Sequence, residues 1–313
     1  MAAEVMLCAA GLTKRFGPVT AVDGLSFEVH RGEVLGFLGP NGAGKTTTLR
    51  MLCGLLSPDQ GSIEIDGRRV GAAGNLRCVG LAPQNVVIWE ALSCREQLDF
   101  MGRLYDLPPR AARQRADELL AAFGLEEKAD ALGRTLSGGM RRRLNIALGL
   151  VHQPSLVFLD EPQAGLDPQS RVLVREYIRG LAGRATVVVT THDMEEAEKV
   201  SDRVCIVDHG KLLILGTVDA IKDRLGEGDV FEIEVADTVA AELLPLVTAL
   251  VGGQVPPTVQ GGLVSFTSTN GAAALPAVLR GMEDRGLQVH GLRVRKRTLE
   301  DVFIRLTGRR LRD

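Results

Sequence analysis

Short, wholly apolar runs alternate with amphipathic stretches over the first two thirds of the chain, the pattern of buried parallel strands separated by helices. Glu33 to Leu38 (EVLGFL), Leu156 to Leu159 (LVFL) and Thr186 to Thr190 (TVVVT) each read as a strand covered on both faces. Arg95 to Phe123, rich in Leu, Ala and Arg, reads as mostly helical and falls in an insertion expected over about 85–155. The character changes after a break at Gly226 to Asp229 (GEGD). Val230 to Val235 (VFEIEV) alternates apolar with acidic residues, as a half-exposed strand does. A helix from Val239 to Val251, a Gly/Pro-rich segment, a strand over LVSFTS, a helix from Ala272 to Arg285 and a strand over LQVHGLRV follow. The last helix, LEDVFIRLTG, is expected to end at Gly308. The expected organisation is a large α/β domain over 1–226 and a small C-terminal α+β domain over 227–313.

A chain of 313 residues suits one large domain plus a small one. Apolar residues make up 45% and charged residues 24%, the balance of a soluble globular protein. The formal net charge of -2 lacks the basic footprint of a nucleic-acid binder, so no nucleic-acid partner is expected. The cysteines (Cys8, Cys53, Cys78, Cys94, Cys205) show no CxxC spacing, which argues against zinc, and their odd number reads as reduced thiols. The N-terminus has no basic stretch followed by an apolar core, so no signal peptide is expected. No apolar run reaches the roughly 18–20 residues that span a bilayer. These features predict a cytoplasmic chain that acts on a membrane only through another subunit.

Two segments carry recognisable chemistry. Gly39-Pro40-Asn41-Gly42-Ala43-Gly44-Lys45-Thr46 fits G-x-x-x-x-G-K-[ST] between a strand and a helix, with Thr47 continuing into the helix. Glycines let backbone N–H groups converge on phosphate oxygens, and the helix start adds its positive end. Lys45 is expected to reach the outer phosphates and Thr46 to ligand Mg²⁺. The second segment, Leu156 to Glu161, is an apolar strand ending in two carboxylates, where ligands of parallel sheets gather. Alternation along a strand would point the two acids to opposite faces. Asp160 then suits Mg²⁺, and Glu161 suits orienting and deprotonating an attacking water.

The motifs between and around these segments resemble those of ABC ATPases. Leu136-Ser137-Gly138-Gly139-Met140 resembles the family signature LSGGQ, with Met140 replacing the final Gln. Gln84 (GLAPQN) resembles the Q-loop glutamine, Gly165-Leu166-Asp167 the D-loop, His192 (TTHD) the switch histidine, and Phe16 (LTKRFG) the aromatic that stacks on adenine. The resemblance covers about residues 6 to 222 and implies a P-loop NTPase fold of the ABC ATPase type with a helical subdomain. It also implies an ATP-sandwich homodimer, in which Ser137, Gly138 and Gly139 of one copy face ATP held by the other, and a separate transmembrane permease at the cytoplasmic side of the membrane. Gln84 would touch Mg²⁺ and water at the hinge to the helical insertion, and His192 would contact the γ-phosphate. Gln163 stands where the family usually has Thr. SGGMRRRL, TTHDMEEAE and TLEDVFIRLTGR resemble the ATPase subunits of daunorubicin-resistance-type exporters, which implies export of a drug, lipid-like or other hydrophobic compound.

Several residues keep two readings. Phe16 fits either adenine stacking or a core position. Trp89 fits either a contact anchor for the permease or core packing. Arg141-Arg142-Arg143, the run Arg293 to Arg297 and Arg309-Arg310 fit a solvated or ion-paired face, and the C-terminal runs also fit contact with anionic lipid or a partner. Asp193 and Glu196 are spaced as a capping box opening a helix after His192. Two rival functions are a soluble ABC ATPase acting on ribosomes or DNA, which would bring a second ATPase domain or long coiled coils, and a regulatory ATP-binding module without transport.

Overall fold

The apolar runs become neighbouring strands of one sheet. The computed structural model describes residues 4–71, 76–224, 228–251 and 257–308, which divide into two compact units meeting in sequence at Val218/Asp219. The GEGD break, the Gly/Pro-rich segment and Arg309-Arg310 lie partly or wholly outside the described residues.

The first unit opens with two long antiparallel strands, β1 (Val5–Phe16) and β2 (Val19–His30). β3 (Val34–Leu38) leads into α1 (Lys45–Leu52), and β4 (Gln60–Ile65) and β5 (Arg68–Arg69) return to give a sheet ordered β2-β1-β4-β5. The apolar runs do not predict this antiparallel sheet. Its signal is the alternation along β2, where Leu25, Phe27 and Val29 are buried between exposed neighbours. β6 (Val79–Ala82) precedes three helices, α2 (Cys94–Leu104), α3 (Pro109–Ala122) and α4 (Gly138–Leu150). The expected helical stretch from Arg95 is thus two helices. Asp106 adopts a left-handed φ of 64° and Pro108-Pro109 follows, so the first helix cannot continue. β7 (Leu156–Asp160), α5 (Pro168–Leu181), β8 (Thr186–Thr191), α6 (Met194–Val200), β9 (Arg203–Asp208) and β10 (Lys211–Thr217) complete the unit.

The second sheet runs β10-β9-β3-β8-β7-β6, parallel except at β10. Its central strands alternate between two cores. Leu35, Phe37, Phe158 and Val188 pack with Leu7, Phe27 and Ile63 of the antiparallel sheet, while Val34, Val157, Leu159 and Val187 pack with Leu119, Leu144 and Val174 of the helices. Burial on both faces explains why these strands read as unbroken apolar runs. β3, β8, β7 and β6 are neighbours, so the segments after their carboxyl ends share one edge, where α/β sheets bind ligands.

α7 (Val218–Asp223) crosses into the second unit. There β11 (Asp229–Glu234), α8 (Asp237–Val251), β12 (Thr258–Gln260), β13 (Leu263–Ser268), α9 (Gly271–Glu283) and β14 (Gly291–Arg295) form a split β-α-β fold with an antiparallel sheet ordered β12-β13-β11-β14. Phe231 and Phe266 stack at 5.1 Å between ring centroids, over a core shared with Leu243, Val247 and Val278. The last strand is shorter than LQVHGLRV, beginning only at Gly291. α10 (Leu299–Thr307) starts with a Thr298/Asp301 capping box and ends at Gly308, whose φ is 72°. The last three residues of the basic run before it are ion-paired: Arg295 to Glu232 and Asp301, Lys296 to Asp229, Arg297 to Asp223.

A steric demand that bears on the site lies between β3 and α1. Gly44 has φ 96°, and a Cβ there would sit 2.3 Å from the Ala21 carbonyl oxygen. Gly44→Ala is expected to destabilise the first unit by more than about 1 kcal/mol, since both φ and space forbid the methyl. Urea unfolding of the full chain measures this, and nucleotide affinity should fall with it.

Candidate active site

The site is assembled from four loops after four adjacent strands. After β3, Gly39 to Gly44 wrap a cavity of about 210 Å³ whose lining includes Asn41, Gly42, Gly44, Lys45, Thr46, Thr47, Gln84 and Glu161. Gly39 cannot carry a side chain, because a Cβ would meet the Val207 carbonyl oxygen at 2.3 Å. Pro40 contributes its carbonyl, which accepts a bond from Lys45 Nζ at 3.1 Å, and Gly39 does the same at 2.7 Å. Ala43 is buried beneath the turn. Lys45 is itself buried, and desolvation holds its ammonium below the usual lysine range even though Glu161 and Asp160 oppose the shift. Burial disfavours the charge and a bound polyphosphate would restore it, which is the electrostatic character of an anion site.

After β7 the two acids do not diverge as strand alternation predicts. Asp160 ends the strand, but Glu161 lies one residue beyond it with a left-handed φ of 52°. That turn brings both carboxylates toward the phosphate loop. Asp160 Oδ1 is 3.5 Å from Thr46 Oγ1, and Glu161 Oε1 is 3.7 Å from Lys45 Nζ. Glu161 Oε2 lies 2.9 Å from His192 Nδ1, after β8. His192 is half exposed and Glu161 is buried. Asp193 caps α6 by accepting from Glu196 N at 3.1 Å, but the reciprocal half of the expected capping box is absent. The Glu196 carboxylate is taken by Arg175 at 3.3 Å, and Asp193 N donates to Thr191 Oγ1 instead.

Thr190 belongs to the site although no motif singles it out. Its hydroxyl donates to Asp160 Oδ1 at 2.5 Å and accepts from Glu161 N at 3.0 Å, fixing the paired acids from the neighbouring strand. Its signal is the run TVVVTT, where a threonine in an apolar, fully buried strand has to find polar partners.

Other predicted residues stand apart from the cavity. Phe16 ends β1 half exposed, with Lys14 Nζ over its ring at 5.9 Å from the centroid, so the side chain stands outside the core. Ser137 caps α4, accepting from Met140 N at 3.3 Å, and Gly138 is exposed with open space where a Cβ would be. Gly139 lies beside the D-loop, 3.8 Å from Asp167 Oδ2 measured from its ideal Cβ. Ser137, Gly138 and Gly139 are not among the described lining residues of the cavity. Met140 packs against the helical core, a task that suits a thioether. Gln163 lines a second cavity of about 170 Å³ with Glu161, Gly165, Arg171 and His192. Trp89 is 42% exposed and packs edge-on against Phe100, with centroids 5.6 Å apart.

Known proteins place this geometry. The ABC transporter family model matches residues 22–164, and the model of the ATP-binding protein DrrA1-3-like C-terminal domain matches 216–307. Among solved structures, an ATP binding subunit of an ABC transporter superposes with a TM-score of 0.66 at 29% identity, covering 71% of this chain and 93% of the other. The chain belongs to the family of ABC transporter ATP-binding subunits, and is an ATPase. Within that family it is similar along its whole length to export and resistance subunits. The daunorubicin resistance ATP-binding protein DrrA3 of Streptomyces coeruleorubidus is 40% identical, covering 98% of this chain and 97% of the relative. The Nod factor export ATP-binding protein I of Ralstonia nicotianae is 42% identical (98% and 95%), and the linearmycin resistance ATP-binding protein LnrL of Bacillus subtilis is 35% identical (98% and 100%).

Thr190→Val keeps the shape but removes the hydroxyl that holds both acids. It should lower kcat for ATP about tenfold and stability by about 1–2 kcal/mol, read by steady-state ATPase assay and urea unfolding.

Proposed function

We propose that this chain is the motor subunit of an exporter and that two copies close on two molecules of MgATP. What carries the reading is the separation of two anion-binding helix starts on one domain. The start of α1 lines a phosphate-sized cavity with Lys45, while the start of α4 offers Ser137 and Gly138 to solvent. A single copy thus presents a binding face and a closing face, which a second copy complements.

Within each site, Lys45 and the backbone amides of Gly42 to Thr47 hold the β- and γ-phosphates, and Phe16 stacks on adenine. Thr46, Asp160 and Gln84 would hold Mg²⁺, their oxygens being the hard ligands it prefers; when bound it would supply counter-charge to the phosphates. Glu161 accepts a proton from the attacking water, and His192, 2.9 Å from Glu161, keeps that carboxylate in line and contacts the γ-phosphate. Ser137, Gly138 and Gly139 of the second copy complete the cage.

The work is delivered to a separate transmembrane permease. No helix among the described residues is long and apolar enough to cross a membrane. Val87, Trp89, Phe100 and Leu104 are exposed around the segment after Gln84, an apolar surface of the aromatic kind that anchors protein partners. The full-length likeness to daunorubicin, Nod factor and linearmycin export or resistance subunits supports export of a hydrophobic or lipid-like compound, with the chain held peripherally at the cytoplasmic side of the membrane.

Glu161→Gln is expected to retain ATP affinity, to slow turnover ~10²-fold or more, and to accumulate a dimer with ATP. A variant that stays monomeric by size-exclusion chromatography with ATP, at undiminished affinity, would sink the sandwich. Replacing Trp89 and Phe100 together by Ala should weaken permease association by about 2 kcal/mol or more, measured by co-purification, with basal ATPase activity retained.

A further inference from the structure

The triplet Arg141-Arg142-Arg143 lies in the first two turns of α4, after the signature glycines and Met140, and its members have different fates. Arg141 turns back to the Arg134 and Leu136 carbonyls, and Arg143 to those of Phe123 and Gly124. Arg142 goes inward and is only 5% exposed. A guanidinium has five N–H donors in a rigid planar fork and cannot shed its charge, so its burial requires acceptors on every side.

Those acceptors are five backbone carbonyls on two segments. Nη1 donates to Pro83 (3.4 Å) and, tightly, to Gln84; Nη2 donates to Asp160 (3.2 Å) and, tightly, to Glu161; Nε donates to Pro162 (3.4 Å). One helical turn further along the same face, Asn145 is 3% exposed. Its Nδ2 donates to the Pro83 carbonyl at 3.1 Å, and its Oδ1 accepts from Val87 N at 2.9 Å. The first two turns of α4 therefore hold the chain from Pro83 to Val87 on one side and from Asp160 to Pro162 on the other. The carbonyls that Arg142 binds belong to Gln84 and Glu161, the residues that would orient the metal and the water. Glu161 sits in a left-handed conformation that an unaided glutamate rarely adopts, and a fixed cation at its carbonyl holds it there.

We propose that Arg142 is a positioning residue for hydrolysis: it locks the backbone of Gln84 and Glu161 to the helix that begins at the signature, so that the hydrolytic geometry of one copy depends on how its own α4 start is held. The same clamp reaches Val87, two residues from the exposed Trp89, and so joins the apolar surface, the signature helix and the acid pair through side chains of a single helix. This rests on the assignment of Glu161 as the water-orienting base.

The experiment compares Arg142→Gln and Arg142→Lys with the parent full chain. It measures kcat and KM for ATP, the Kd of MgATP by a fluorescent analogue, and the melting temperature. Both variants should bind MgATP within about threefold of the parent. Turnover should fall ~10²-fold for Gln, the scale of an ångström of misplacement in a reacting group, and at least ~10-fold for Lys, whose point charge cannot span five carbonyls. Turnover within threefold of the parent in the Lys variant would overturn the proposal, because charge alone would then suffice. A matched loss of affinity, turnover and melting temperature in the Lys variant would also overturn it, by showing a purely structural role. If Arg142→Gln does not fold, the Lys variant decides alone. Failure of the underlying assignment is recognised separately: Glu161→Gln would then retain turnover whatever the Arg142 variants do.

Discussion

A buried cation held against buried carboxylates, with room between them for a polyphosphate, is the constraint on which this protein depends. Lys45 sits 3.7 Å from Glu161, is desolvated, and has its remaining bonds to the Gly39 and Pro40 carbonyls. Alone, that arrangement strips a charge of water and gives back only part of what it loses. Phosphate oxygens supply the missing counter-charge. The rest of the first unit can be understood as the means of bringing β3, β8, β7 and β6 side by side, so that the cation, the acids, the histidine and the glutamine meet at one edge.

The second unit answers to different physics. Its sheet is antiparallel and half exposed, its core is one cluster around Phe231, Ile233, Val264 and Phe266, and its charges neutralise one another locally. Arg295 illustrates this. It lies between Glu232 on the neighbouring strand and Asp301 at the start of α10, and these partners hold its guanidinium above the usual arginine range. Of the two readings that the basic run allows in sequence, Arg295, Lys296 and Arg297 take the ion-paired one, with partners in their own unit.

Much of the catalytic edge was legible in the chain because phosphate chemistry leaves local marks. Gly39 to Thr47 and Leu156 to Glu161 are contiguous segments. In each, an apolar run marks a strand, and the glycines or acids at its carboxyl end mark the ligand. The helices of the insertion and the order of the C-terminal elements were legible through periodicity. What escaped depends on contacts between distant segments. Nothing in the sequence around Thr190 shows that its hydroxyl meets residues thirty positions away. Nothing in a run of three arginines says which one will be buried. The turn that brings Asp160 and Glu161 to the same side is a backbone choice that simple strand alternation contradicts, and Glu196 was lost to a capping box because Arg175 arrives from another helix.

The backbone at Glu161 carries a consequence for descent as well as for chemistry. A left-handed glutamate costs roughly 1–2 kcal/mol relative to a residue at ease there, so Glu161 stands against a thermodynamic bias toward glycine or asparagine. Lineages that stop needing hydrolysis, and keep only nucleotide-dependent association, would gain stability by yielding to that bias. The identity of this one residue in a paralogue is therefore a simple guide to whether selection still demands turnover.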